Sequence, residues 1–94
     1  MSETAPDRRL FQITGADALT FLQGMVSNDV LPLAKAPGIV WAALLTPQGK
    51  YLADFFVVNT GDSLLLDIKD SIADATVRRL TMYKLRADVA FAPS

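Results

Sequence analysis

The sequence predicts an α+β fold of the ferredoxin-like, split βαβ type, in the order β-α-β-β-β-α-β with a mainly antiparallel sheet. Three observations carry this reading. Two helical stripes, Leu19/Leu22/Met25/Val26 and Ala73/Thr76/Val77/Leu80, are separated by three strand-like runs. Those runs are joined by the turn strings Thr46-Pro47-Gln48-Gly49 and Asn59-Thr60-Gly61-Asp62, which makes them an antiparallel meander. The length, 94 residues, suffices for one domain and not for two.

Met1–Asp7 is polar and reads as a disordered lead-in, leaving residues 8–94 as a single lobe. Arg8–Thr14 alternates weakly and is assigned as the first strand. Thr14 and Asp17 have capping-box spacing ahead of the first helix, which should end near Ser27-Asn28-Asp29. Pro32, Pro37 and Gly38 mark Val30–Gly38 as a connector. Ile39–Leu45 is apolar throughout, so burial on both faces is expected. Tyr51–Val58 and Ser63–Lys69 follow as strands. Ser71 and Asp74 repeat the capping spacing before the second helix, where Asp74 and Arg78 form an i,i+4 surface pair. Ala87–Ala92 is read as the last strand.

Composition excludes much chemistry. There is no cysteine and no histidine, so thiolate or imidazole catalysis and Cys- or His-ligated metal sites cannot come from these residues. The formal charge of −1 provides no general attraction for nucleic acid or anionic membrane, and neither is expected as a partner. No phosphate-cradling glycine motif occurs. The opening residues lack a signal-peptide pattern, and no apolar run approaches a membrane span. A cytoplasmic location is expected.

Asp54 interrupts the apolar run Tyr51–Val58. A carboxylate taken out of water needs a partner. It therefore either sits on an exposed face, or lines a pocket where it accepts hydrogen bonds from a ligand's ring N–H groups. Trp41 is either core or a flat wall for an aromatic ligand. A two-residue hairpin loop places Trp41 opposite Asp54, whereas a bulged turn at Gly49 puts them on opposite faces. Ser27-Asn28-Asp29 is a polar helix end. Tyr83, Lys84 and Arg86 could meet an anionic ligand tail, but a solvated helix end with cations favoured by the dipole explains them more simply.

Read in order, ITGADALTFLQGMVSNDV (Ile13–Val30), WAALLTPQGKYLADFFV (Trp41–Val57), GDSLLLDI (Gly61–Ile68) and YKLRADV (Tyr83–Val89) resemble the N-terminal part of the folate-binding YgfZ-type proteins. These are a branch of the glycine-cleavage T-protein (aminomethyltransferase) superfamily. The resemblance implies a lobe beside a tetrahydrofolate cavity, and a role in iron–sulfur cluster assembly or repair. Part of a folate-dependent aminomethyltransferase and a non-catalytic interaction lobe are the alternatives. On this resemblance Asp54 and Trp41 contact folate, and Asn28, with Ser27 and Asp29, supports the cavity. The brief segment before the first strand favours the YgfZ branch over a true aminomethyltransferase. The family's later signature, centred on a reactive cysteine, has no counterpart here. The chain is therefore expected to be the first part of a larger protein, completed by a C-terminal part or a second copy. No catalytic or metal-binding residue is assigned.

Overall fold

In the computed structural model residues 7–94 are described, so the lead-in expected at Met1–Asp7 lies, Asp7 apart, outside the described residues. The elements are β1 (Arg8–Thr14), α1 (Ala18–Met25), a single 3₁₀ turn (Leu31–Ala34), β2 (Gly38–Leu45), β3 (Tyr51–Asn59), β4 (Leu64–Lys69), α2 (Asp70–Tyr83) and β5 (Ala90–Pro93). The five strands form one sheet in the order β2-β3-β4-β1-β5, and every neighbouring pair is antiparallel. β1 lies between β4 and β5, so β4-α2-β5 is a split βαβ unit, as the element order predicts.

The alternation of each strand decides which side chains face the helices. Phe11 and Ile13 of β1, Ala42 and Leu44 of β2, Phe55 and Val57 of β3, and Leu66 and Ile68 of β4 point to one side. There they close a core with Ala18 and Leu22 of α1, Leu33 of the 3₁₀ turn, and Ala73 and Leu80 of α2. Both helical stripes are thereby borne out, with Val77 half-buried at the rim. Among the described residues no helix lies on the other face of the sheet.

That one-sided covering corrects the expectation for β2. Ile39 and Trp41 are 66% and 45% exposed, so the strand is not buried on both faces. β2 is one of the two edge strands, and among the described residues its outward side chains meet no second layer. An all-apolar strand is a sign of two covered faces only when both layers are present.

The capping expectations are also corrected. Neither helix has a side-chain cap, and both candidate carboxylates bond to distant partners instead. The Asp17 carboxylate accepts the backbone N–H of Asp88 at 2.8 Å, and the Asp88 carboxylate accepts that of Ala16 at 3.1 Å. The Asp17 amide also donates to the Asp88 carbonyl at 3.0 Å. This reciprocal clasp ties the start of α1 to the approach of β5. Gly15 makes it possible: its φ is +113°, and a Cβ there would lie 2.1 Å from the Asp88 carbonyl oxygen. Asp74 pairs with Arg9 of β1 at 3.0 Å, and not with Arg78 as its spacing suggested. Arg9 also reaches Asp70 at 3.6 Å and lies over the Phe11 ring, 5.1 Å from its centre. One guanidinium thus anchors the first turns of α2 to the sheet.

Candidate functional site

The hairpin between β2 and β3 contains two irregularities. Gly49, at φ +89°, closes a loop in which its amide donates to the Thr46 carbonyl at 2.8 Å, and Thr46 donates to the Lys50 carbonyl at 2.8 Å. That turn alone would put Trp41 and Asp54 on opposite faces. A second shift follows: Leu45 is opposite Tyr51 but Leu44 is opposite Ala53, so Leu52 is the extra residue of a bulge. The two shifts cancel in parity. Trp41 and Asp54 share a face, on the diagonal: Trp41 is opposite Phe56, and Asp54 is opposite Ala43.

The bulge also brings in a residue that strand alternation would place on the other side. Tyr51 now points to the same face as Asp54. Partial loss of hydration, and then hydrogen bonding to the Asp54 carboxylate and its charge, raise the Tyr51 phenol above its ordinary value. A raised folded pKa means that any stability this group contributes is complete below about pH 10 and is lost as pH rises through the raised value. In a Tyr83→Phe background, Asp54→Asn is expected to move the phenolate absorbance titration of Tyr51 downward. An unchanged midpoint would separate the two groups.

Around Asp54, which is half-buried, the open face carries Trp41, Phe56, Leu10 and Ile39, all exposed. Phe56 is also opposite Asp67 of β4. Arg8 donates to the Asp67 carboxylate at 2.9 Å and to its carbonyl at 3.0 Å, and lies over the Phe56 ring, 5.8 Å from its centre. Asp67 is therefore neutralised within the chain, and Asp54 has no cationic partner among the described residues. The result is a carboxylate and a phenol set in an apolar, aromatic sheet face. Sequence reading missed Tyr51, Phe56 and the Arg8–Asp67 pair. Equal parity with Asp54 marks Phe56 in the sequence, whereas nothing local announces the bulge that turns Tyr51.

Asn28 belongs to the segment that runs along the edge of β2. After α1 the chain makes a bridge between Val26 and Leu44, and the Ser27 amide donates to the Ala43 carbonyl at 2.9 Å, along the free edge of β2. The Ser27 hydroxyl donates to Asn28 Oδ1 at 2.6 Å, and the Asp29 carboxylate accepts the Leu31 amide at 3.1 Å. These are the local bonds of a polar helix end. They hold the segment beside Ala43, the residue opposite Asp54, and among the described residues no hydrogen bond joins Asn28 to Asp54.

The larger concavities are away from this face. One of about 490 Å³ is lined by Met25, Val26, Leu45, Pro47 and Tyr83 among others, at the turn end of the hairpin. Another of about 350 Å³ is lined by Asp29, Leu31, Pro32 and Lys35, and a smaller groove of about 230 Å³ lies on α2 between Ala75, Arg78, Arg79 and Met82. None of the three includes Asp54 or Trp41.

Fold and face together define a two-layer α+β lobe with helices on one side of its sheet and a carboxylate among aromatic rings on the other. No protein-family model matches the chain. It is 36% identical to an iron–sulfur cluster assembly factor IBA57 homologue, mitochondrial, of Mycosarcoma maydis, over 89% of this chain and 24% of that protein. It is 32% identical to the mitochondrial iron–sulfur cluster assembly factor IBA57 of Mus musculus, over 93% of this chain and 28% of that protein. It is 28% identical to the aminomethyltransferase of Chromobacterium violaceum, over 86% and 22%. The chain thus spans about a quarter of the length of these curated relatives. Iron–sulfur assembly factors and an aminomethyltransferase side by side agree with the superfamily-level resemblance, and none of the three is a YgfZ protein by name. The cytoplasmic expectation is corrected: the assembly factors among these relatives are mitochondrial by name.

Proposed function

We propose that this chain is a lobe that forms part of a tetrahydrofolate site in a protein supporting iron–sulfur cluster assembly. The reading rests on one observation above all: Asp54, lacking a cation, shares an open aromatic face with Tyr51, Trp41 and Phe56. The donor set suits a pterin. The ring's N–H groups need an acceptor, which Asp54 supplies, and its flat surface needs an aromatic wall, which Trp41 and Phe56 supply. Tyr51, beside Asp54, would fix the carboxylate's orientation. Tetrahydrofolate, when bound, supplies a one-carbon carrier. Because none of the concavities described includes Asp54 or Trp41, the rest of the cavity would come from another part of the protein or from a partner subunit. The cluster itself is cargo, and this cysteine-free chain offers it no thiolate.

Support for the assembly role comes from the similarity to the two IBA57 proteins. The aminomethyltransferase likeness concerns the same lobe, and no residue described here favours group transfer over binding. Trp41 is the single tryptophan, so its fluorescence reports ligand at this face. Tetrahydrofolate is expected to quench it weakly in the isolated chain. Asp54→Asn should reduce the affinity by about ten- to a hundredfold, the worth of a charge-assisted hydrogen bond. In cells lacking the gene, the variant should restore iron–sulfur enzyme activity poorly. Equal affinity and full restoration by Asp54→Asn would leave the lobe a non-catalytic interaction surface.

A further inference from the structure

We propose that the end of α2 and the turn after it, Arg78–Arg86, form a docking surface for an acidic, amphipathic segment of a partner protein. The chain has nine Lys and Arg against ten Asp and Glu, yet this stretch holds Arg78, Arg79, Lys84 and Arg86 and no acid. The nearest acids are occupied. Asp70 and Asp74 serve Arg9, and Asp88 is held in the clasp with Ala16 and Asp17. Lys84 donates to the Val89 carbonyl at 3.1 Å, and Arg79 reaches the Tyr83 hydroxyl at 3.4 Å. Among the described residues no carboxylate pairs with Arg78, Arg79 or Arg86.

Large apolar side chains stand among these cations. Met82 is exposed, and Leu85 is 87% exposed at φ +45°. The left-handed region is unfavourable for a residue with a side chain. Here it holds out a leucine that contributes nothing to this lobe's core, an arrangement suited to a contact from outside. Arg78, Arg79, Met82 and Ala75 border the groove of about 230 Å³.

The chemistry selects the occupant. Guanidinium forks pair bidentately with carboxylates. A chain of net charge −1 has no long-range pull on a nucleic acid or an anionic bilayer. Cations interleaved with exposed Met and Leu match a partner that presents Asp or Glu around a bulky apolar residue. This surface lies on the helical side of the sheet, so the inference does not depend on the folate reading.

The test uses fluorescence anisotropy with a labelled synthetic helical peptide of Glu and Leu, alongside a polyaspartate peptide, phosphatidylserine vesicles and a single-stranded oligonucleotide. The Glu/Leu peptide is expected to bind best. Arg78→Glu with Arg79→Glu should weaken it about tenfold or more, as should Leu85→Gly. Leu85→Gly relieves the positive φ, so its melting temperature should stay level or rise, which separates lost docking from lost folding. Absence of peptide binding, unchanged affinity in the variants, or stronger binding to polyaspartate, vesicles or oligonucleotide would overturn the proposal.

Discussion

Replacing Gly15 with alanine is expected to destabilise the lobe by roughly 3–4 kcal/mol, among the largest effects open to a single methyl group. Two costs combine. Gly15 sits at φ +113°, where a side chain is strained, and the new Cβ would meet the Asp88 carbonyl oxygen at 2.1 Å, closer than any real contact. That oxygen belongs to backbone, so it can yield only by pulling the Asp88 segment away. Its bonds to Asp17 and Ala16 would go with it. For a domain of this size the melting temperature should fall by roughly 15–25 °C, read by circular dichroism. A fall of only a few degrees would mean that the clasp opens at little cost. Gly24→Ala is the control: it has open space around its Cβ position and sits inside α1, where alanine is the better helix former.

The second large effect separates two adjacent residues. Phe55 and Phe56 are neighbours in β3, but Phe55 is 1% exposed beneath the helices and Phe56 is 38% exposed on the open face. Phe55→Ala should cost about 3–5 kcal/mol, because a buried ring leaves a cavity that the sheet cannot fill. Phe56→Ala should cost only about 1 kcal/mol, mostly its contact with Arg8. Chemical denaturation of the two variants gives both values. Equal losses would show that both faces of the sheet are packed in solution, as expected if this face associates with another copy. Large exposed apolar patches favour such association.

These residues also show how far the sequence could be read. β1 is legible despite its weak alternation, in which Phe11 and Ile13 are offset from Gln12 and Thr14 although Leu10 is apolar, and the helices are legible because their stripes repeat at helical spacing. Asp54 stood out because one charge interrupts an apolar run. What stayed hidden depends on distant partners. Asp17 has the composition of a cap but bonds to Asp88, 71 positions away, and Asp74 bonds to Arg9 across the fold. Local spacing cannot weigh such competitors. The exposure of Trp41 was hidden for a related reason: an apolar strand looks the same whether its second face is covered by its own chain or left open. The bulge at Leu52 determines which side chains join Asp54, and no residue there signals it.

The central claim is that the open face around Asp54 is the wall against which a pterin rests. Chemical-shift mapping of the chain during tetrahydrofolate titration tests it most directly, since it detects weak contact and locates it. The Trp41 indole and the amides of Tyr51, Asp54 and Phe56 are expected to shift together, and Asp54→Asn to abolish the set. Shifts confined to the cavity between Met25, Pro47 and Tyr83, with the open face silent, would contradict it.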